Sequence, residues 1–411
     1  MTMSARITPL ALADPLALPH MTSALSYEHF LFDAFVAGRR RVDVHPLLLS
    51  PAAHSSAVSV ALRAAALVER AAVRAAEDDE ERARYGLHPD VERLAAASRT
   101  AGDLTSLVRV DLLLREDERF VACEVNADCP GGHNETVALP SLARAAGLRR
   151  GEDPTDVVPR LADRLVALSG GPGSPRGAIA LVYATAWAED LQVVLLIEKF
   201  VKLRGGRVVR TAVTGLRRGG DGAPLAVRGT RVSVLYRFYP TEYMAGLPAA
   251  IAIAEAIASG EVASVSSFAN IHGQSKLAMA RAFAHEESEA REVFPETRAF
   301  ADVGAGRVAQ DREGWVLKRD LSRVGDHVLV GALMTDEEMR DAVLHVEQAG
   351  ETWIAQRFVR QSAVDTPWGP RFLTLGAYVL DGAFTGYYAR VSPTSHCSHD
   401  ALAIPVFVEG S

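Results

Sequence analysis

Two neighbouring apolar runs that carry charged residues at alternate positions place the strongest constraint on the fold of this 411-residue chain. In the first run, residues 108 to 114, valine and leucine alternate with Arg109, Asp111 and Leu113. This alternation predicts a β-strand with those three side chains on one face. Residues 120 to 126 predict a second strand, and the charged connector between the runs indicates an antiparallel hairpin.

This hairpin predicts a metal site. If residues 116 to 119 form a four-residue loop, Asp111 lies opposite Glu124 and Arg109 lies opposite Asn126. Two carboxylates that face each other across a sheet repel. A Mg²⁺ ion, which prefers carboxylate, phosphate and water oxygens, removes that cost. A solvated hairpin face is the alternative, but the turn-rich segment NADCPGG begins at Asn126, and loops at strand ends often carry functional residues.

A second stretch, residues 314 to 328, predicts a phosphate site. A buried strand ends in Lys318, the polar loop 319–327 contains Gly325, and the apolar run 328–333 predicts a returning strand. A lysine ammonium binds phosphate as a point charge, and backbone N–H groups around a glycine can surround phosphate oxygens. An ordinary hairpin with a surface lysine fits the same pattern. The chain has no Walker A motif and no GxGxxG after a strand.

Six segments resemble, in their order along the chain, the circularly permuted ATP-grasp ligases of the glutathionylspermidine synthase type. They lie between residues 108 and 411 and read VRVDLLL, CEVNADCPGG, SKLAMARAF, WVLKRDLSRVGDHV, WIAQRFV and GAYVLDGAFTGYYARVS. The resemblance implies a mixed α+β and α/β architecture, a circularly permuted ATP-grasp fold with a small Rossmann-like pre-ATP-grasp domain. It also implies an ATP-dependent carboxylate–amine ligase that forms an amide through an acyl phosphate and releases ADP and phosphate.

The same resemblance assigns roles to single residues. It places Mg²⁺, two ions when ATP is bound, on Asp111, Glu124 and Asn126. It implies that Arg109 and Arg390 act on the reacting phosphate, and we expect them to approach it from opposite lobes. The residues that it assigns to ATP are Lys276, Lys318 and Gly325, together with Gln356, Arg357 and Phe358, whose backbone would contact adenine.

Length and pattern also predict the domain organisation. A chain of 411 residues is too long for one ordinary core. We predict an N-terminal α+β part over residues 1–170 that carries the hairpin, a pre-ATP-grasp-like α/β domain over 171–262, and nucleotide-binding ATP-grasp lobes over 263–411. In the middle part, apolar runs alternate with a helical pattern over 189–203, which favours a parallel sheet.

Composition excludes several classes of partner. The formal charge of −7 argues against general affinity for nucleic acid or anionic membranes, and no run reaches the ~18 apolar residues of a membrane span. Three cysteines make no disulfide framework, and we find no signal-peptide pattern, so the sequence predicts a cytoplasmic protein. It does not indicate an oligomeric state. The expected substrates are a small-molecule or peptide carboxylate and an amine, which the sequence does not name.

Other functions fit parts of the pattern. A zinc site could draw on Cys123, Cys129, His133, His396, Cys397 and His399, but their spacing matches no standard set of ligands, and Cys123 is expected to face away from Glu124. A phosphotransferase would use the same ATP and metal residues and stop at a phosphorylated product. A non-enzymatic nucleotide-binding protein is the third alternative, which the intact set of charged positions disfavours.

Overall fold

The computed structural model describes residues 7–36, 38–219, 223–322, 327–397 and 401–410. In chain order, the strands β1 to β21 are Ile7–Pro9, Phe35–Val36, Arg39–Arg40, Leu47–Leu49, Leu107–Leu114, Phe120–Asn126, Ala178–Tyr183, Val208–Thr211, Leu216–Arg218, Leu225–Val227, Thr230–Phe238, Ala263–Val265, Thr297–Ala299, Trp315–Arg319, Val328–Val330, Trp353–Arg357, Ala363–Thr366, Gly369–Leu380, Ala383–Ser392, Leu402–Ile404 and Val406–Val408. The helices α1 to α14 are Pro19–Glu28, Pro51–Glu77, Asp79–Ala83, Pro89–Ala101, His133–Ala145, Val157–Leu168, Ala188–Leu203, Pro248–Ala258, Ile271–Gln274, Leu277–His285, Glu287–Val293, Phe300–Val303, Ala305–Gln310 and Asp336–Gln348.

An antiparallel sheet, the central sheet, joins early and late parts of the chain in the strand order β20-β19-β18-β5-β6, with β17 also paired to β18. The apolar residues of β5 face the long helix α2, as their alternation predicted. Helix α2 comes close to this sheet because the residues that it buries are mostly small: Ala53, Ala57, Ala61, Ala64, Ala71, Ala72 and Ala75. The opposite face of the sheet is left for polar side chains.

The central sheet contains a hairpin turn with an Asp-Gly sequence, which is typical of tight hairpin turns. Strands β18 and β19 are joined by Asp381 and Gly382, whose φ angles are 48° and 77°. Two successive positive φ angles are typical of a tight turn whose twist matches the strands that it connects. The turn therefore fixes the register of β18 against β19, and with it the position of Arg390 opposite Thr374.

A second antiparallel sheet, the small sheet, has the order β13-β16-β14-β15. It carries Lys318 near the end of β14 and Gln356 on β16. The predicted return strand is shorter than expected, because residues 331–333 turn into a 3₁₀ helix after β15. Helix α14 follows and begins with a capping box, in which the side chains of Thr335 and Glu338 each accept a hydrogen bond from the other's backbone N–H.

A third sheet contains the parallel strands that the sequence predicted between residues 171 and 262. Strand β7 pairs in parallel with β8 and β11, and β11 pairs in parallel with β12. Helices α6 and α7 contribute to the hydrophobic cluster on one side of this sheet, and α8 contributes to the cluster on the other.

A buried ion pair connects this parallel sheet to the turn that follows Asn126. The carboxylate of Asp128 lies 2.7 Å from Arg237, and both side chains are fully buried. Asp128 also accepts hydrogen bonds from the backbone N–H and the hydroxyl of Thr241, at 2.9 and 2.7 Å. Because an unpaired charge at such depth is strongly unfavourable, this contact fixes where the turn lies.

Candidate functional site

The register of the central sheet brings the predicted residues together on one face. On β5 and β6, Arg109 lies opposite Asn126 and Asp111 lies opposite Glu124, as predicted from the sequence. Asp111 also pairs with Gly376 on the next strand.

The hairpin has the predicted register, but its loop length differs from the predicted one. Leu114 pairs with Phe120, so the loop has five residues rather than four, and an extra residue at Cys123 restores the pairing of Asp111 with Glu124. Such a β-bulge redirects side chains. The prediction that Cys123 faces away from Glu124 is therefore wrong, because both residues line the same cleft.

Asp111 is the centre of the charge arrangement. Arg109 donates to its two carboxylate oxygens at 2.7 and 3.0 Å, and Arg390 donates to one of them at 3.0 Å. Burial alone would raise the pKa of Asp111, but the charges of Arg109 and then Arg390 outweigh it and hold the pKa below its usual value. This carboxyl group is therefore ionised at neutral pH.

The two arginines come from one sheet, which corrects the expectation that they approach from opposite lobes. Arg109 lies on β5 and Arg390 on β19, two strands away. The ring of Tyr388 lies 5.4 Å from both guanidinium carbons, so it supports the pair from one side through cation–π contacts. The Nε atom of Arg390 is buried and has no hydrogen-bond partner among the described residues.

Space for Arg109 depends on Gly376. A Cβ atom on this glycine would lie 2.8 Å from Cδ of Arg109 and 2.9 Å from the carbonyl oxygen of Tyr388. Gly376 was not among the predicted site residues. The signal was present in the sequence, since a glycine inside the apolar strand LTLGAYVL often marks a close approach of other groups.

The predicted lysines lie beside the second carboxylate. Lys276 contacts Glu124 at 3.3 Å and donates to the carbonyl oxygens of Asp320 and Ser322 at 3.0 and 2.9 Å. Lys318 donates to the carbonyl of Cys123 at 2.9 Å and to the side chain of Gln356 at 2.8 Å. Burial would raise the pKa of Glu124, but the two lysine charges lower it.

The central and small sheets enclose a cleft of about 860 Å³, which includes the solvent at its mouth. Along β5, the side chains that line the cleft change from Leu113 through Asp111 to Arg109, so the central sheet gives the cleft an apolar end and a polar end. The apolar lining residues are Leu113, Val316, Val328, Val330, Phe358 and Val359. The polar ones include Arg109, Asp111, Glu124, Asn126, Lys318, Thr374 and Arg390, and Lys276 reaches Glu124. A ligand with a flat apolar part and an anionic part matches this division.

The predicted adenine segment lines the cleft, but its backbone donors are engaged. The N–H groups of Arg357 and Phe358 donate to the carbonyls of Glu296 and Gly314 at 2.8 and 2.9 Å. The guanidinium of Arg357 lies 4.0 Å from the ring centroid of Trp315 and pairs with Asp311.

Oxygen donors suitable for Mg²⁺ lie on the polar end. The carboxylates of Asp111 and Glu124 are on adjacent strands, and Asn126 follows on the same face. The amide nitrogen of Asn126 is buried without a hydrogen-bond partner. The nitrogen and oxygen of an amide can be exchanged by a flip, so this group can present its oxygen to a cation. These three residues therefore fit a magnesium site. The arginines and lysines beside them contact the two carboxylates and would also contact a bound anion.

The zinc alternative finds no cluster in the described part of the chain. No group of three histidine, cysteine or acidic side chains within it could hold a metal ion. Cys123, His396 and Cys397 line the cleft, whereas His399 lies outside the described residues. Gly325, the predicted loop glycine, also lies outside them.

Comparisons with known proteins bear on the fold. No protein-family model matches the sequence, and no curated protein matches it. A solved glutathione synthetase-like effector from Globodera pallida, in its apo form, superposes with a TM-score of 0.59 at 12% identity, over 96% of this chain and 98% of that one. A protein provisionally described as a gamma-glutamylcysteine synthetase, from Methylobacillus flagellatus KT, gives a TM-score of 0.44 at 12% identity, over 75% and 84%.

This chain has a glutathione synthetase-like fold. The superposition on the effector extends over almost the whole length of both chains, so it describes the complete arrangement of sheets and not one shared motif. The mixed α/β architecture resembles glutathione synthetase-like folds, and this resemblance agrees with the predicted fold class. None of the helices that the structure describes has the length and apolarity required to span a membrane.

Within this glutathione synthetase-like fold, sequence reasoning missed the start of α5 as part of the site. His133 is fully buried, both of its ring nitrogens lack hydrogen-bond partners, and its ring lies 5.6 Å from that of Tyr378. Burial, with the charge of Arg109, lowers the pKa of His133 to about 3. The folded protein therefore holds this imidazole neutral next to the arginine pair.

We predict that His133→Phe makes stability less sensitive to acid. Below pH 6.5 the unfolded chain binds a proton at His133 that the folded chain does not bind until about pH 3. The wild type therefore loses stability relative to the variant by about 1.4 kcal/mol per pH unit across that window. Urea titrations of both proteins at pH 7.5, 5.5 and 4.5 measure the difference. A difference that stays constant with pH would show that His133 has the same pKa in the folded and unfolded chains, which contradicts the prediction.

Proposed function

We propose that this chain is an ATP-dependent carboxylate–amine ligase. In the proposed reaction, ATP phosphorylates a substrate carboxylate, an amine attacks the resulting acyl phosphate, and the products are an amide, ADP and phosphate. The observation that supports this most is the cleft between two sheets, whose lining combines apolar side chains with basic residues and two carboxylates.

The cleft suits a nucleotide triphosphate. A purine would lie in the apolar end, between valines of the small sheet and Leu113 of the central sheet, next to residues 356–359. At the polar end, four basic side chains outnumber two carboxylates, so an anion gains attraction there. Those basic residues are Arg109, Lys276, Lys318 and Arg390.

The arginine pair suits the chemical step. Phosphoryl transfer depends mainly on positioning and on stabilising charge that spreads over the transferring oxygens. Arg109 and Arg390 are already held side by side by Asp111 and Tyr388, so little reorganisation is needed to meet an anion. Asp111, Glu124 and Asn126 would hold Mg²⁺, which would supply positive charge that offsets part of the phosphate charge; we propose two ions with ATP.

The chain order supports a circularly permuted arrangement of the ATP-grasp fold. The hairpin β5–β6 precedes the small sheet in sequence, yet it completes the sheet formed by the late strands β18 and β19. We propose that the parallel sheet is a small Rossmann-like pre-ATP-grasp domain, that the parts divide near residues 170 and 262, and that the enzyme acts in the cytoplasm.

A screen for products tests the reaction. Carboxylates, namely the amino acids and short peptides that end in glycine or glutamate, are mixed with ATP, Mg²⁺ and a set of primary amines or hydroxylamine, and ADP, phosphate and new masses are measured. A ligase gives ADP, free phosphate and an amide or hydroxamate. A phosphotransferase gives ADP and a stable phosphorylated product instead, which would favour that alternative. ATP binding without any product would favour a non-enzymatic protein.

We predict that Lys318→Ala weakens ATP binding by about 1–3 kcal/mol, because a charged hydrogen-bond donor to phosphate is lost. Calorimetric titration of ATP measures this change. Lys202→Ala is the matched control, since that lysine is 60% exposed on α7 and should leave the affinity unchanged. Equal affinities for wild type and Lys318→Ala would contradict the nucleotide assignment.

Glu124→Gln should abolish ADP release at any Mg²⁺ concentration while the protein stays folded, because Lys276 keeps its two carbonyl partners. Asp111→Asn is a poorer probe. It would leave two guanidinium groups without their carboxylate, and breaking a buried pair costs about 3–5 kcal/mol of stability. Exposed Glu152→Gln serves as control. Wild-type turnover by Glu124→Gln at limiting Mg²⁺ would exclude the proposed metal site.

Replacing Arg390 by lysine keeps the charge and removes the planar pair of donors. We expect ADP release to fall by about 10²-fold while ATP affinity changes by only a few fold, because the contact matters most as charge develops. Initial rates and calorimetry on the same preparations separate the two effects. Arg160→Lys, at a 53% exposed position, is the control. A loss confined to ATP affinity would assign Arg390 to binding alone.

A further inference from the structure

Lys318 is held in a defined position by acceptors from both sheets. Its ammonium group donates to the carbonyl oxygen of Cys123 on the central sheet at 2.9 Å and to Oε1 of Gln356 on the small sheet at 2.8 Å. An ammonium group has three protons, and these are the two hydrogen bonds that it makes within the described part of the chain. Because Lys318 lines the cleft, its third proton remains for a ligand.

The side chain of Gln356 is itself fixed by a residue away from the cleft. Thr297 lies directly opposite Gln356 in the pairing of β13 with β16, and it is fully buried. Its hydroxyl donates to the carbonyl oxygen of Pro295 at 2.8 Å and accepts from Nε2 of Gln356 at 3.0 Å. Thr297 is not one of the residues that line the cleft, so any effect that it has on a ligand there must pass through other side chains.

These contacts allow only one orientation of the Gln356 amide. A hydroxyl has one proton, and that of Thr297 is given to the carbonyl of Pro295, which can only accept. The Thr297 oxygen therefore acts as the acceptor for Gln356, which must turn its NH₂ group to Thr297 and its oxygen to Lys318. A lysine ammonium has no lone pair, so the reversed amide would present a second donor to it. The Thr297 hydroxyl therefore determines whether Lys318 meets an acceptor.

We propose that Thr297 is a positioning residue for nucleotide binding, which acts on Lys318 through the amide of Gln356. This inference rests on the proposed function, in which Lys318 binds an ATP phosphate. Without the Thr297 hydroxyl, the amide loses the partner that fixes its orientation, and Lys318 loses its fixed acceptor on the small sheet. ATP must then order this lysine when it binds, and that cost weakens the affinity.

A double-mutant cycle tests this coupling. Thr297→Val replaces the hydroxyl by a methyl group of similar size, and we expect it to raise the Kd for ATP about 10-fold in the wild-type background. In the Lys318→Ala background the same substitution should change the Kd by less than about twofold, because the residue through which it acts is absent. Calorimetric titration with ATP and Mg²⁺ measures the wild type, both single variants and the double variant. Thr297→Ser, which keeps the hydroxyl, should bind ATP as the wild type does.

Thr385→Val is the matched control. Thr385 lies on β19 outside the cleft lining, is also buried, and has a hydroxyl without a hydrogen-bond partner among the described residues. Its substitution should leave the Kd for ATP unchanged. Gln356→Met keeps the length of the side chain and removes the acceptor for Lys318. It should show the same dependence on Lys318, so it tests the inference even if Thr297→Val does not fold.

Each outcome decides the inference. A loss of ATP affinity that disappears in the Lys318→Ala background supports it. A loss of equal size in both backgrounds shows a defect that does not act through Lys318, and an unchanged affinity shows that the hydroxyl is not needed. Either of these results overturns the inference, while ATP binding by the wild type leaves the proposed function standing. If the wild type itself binds no ATP, the proposed function fails and the inference fails with it.

Discussion

A single buried carboxylate makes the rest of the site possible. Asp111 is 3% exposed and receives three hydrogen bonds from two arginines that come from different strands. Two guanidinium groups at this depth would repel each other and lose much of their hydration without such a partner. The carboxylate allows positive charge to accumulate in the cleft, and Gly376 leaves the space in which Arg109 fits.

Local sequence pattern predicted much of this geometry. Alternation along β5 determines which residues face α2 and which face the cleft, and the pairing of Asp111 with Glu124 followed from one assumed loop length. The predicted pairing is present although the loop is a residue longer, because the bulge at Cys123 compensates. The capping box at Thr335 and the Asp381–Gly382 turn can also be recognised from the sequence, because each depends on residues within four positions of each other.

What the sequence could not predict depends on long-range packing. The contact of Arg390 with Asp111 joins residues 279 positions apart, and that of Lys318 with the Cys123 carbonyl spans 195. Pattern alone could not place both arginines on one sheet, because the strand order that brings β19 near β5 is a property of the whole fold. The environment of His133 could not be predicted for the same reason, because burial and the nearby charge of Arg109 determine it.

The shared central sheet also has a consequence for biosynthesis. Strand β5 pairs with β6 on one edge, but its other edge has no partner until β18 has been made, about 250 residues later. At a typical elongation rate this is an interval of roughly tens of seconds. During that time the apolar strand edge of β5 and the alanine-rich face of α2 have no complete sheet to cover them. Such non-local pairing slows folding and exposes intermediates to aggregation. Production of this protein should therefore depend on chaperones that hold the nascent chain.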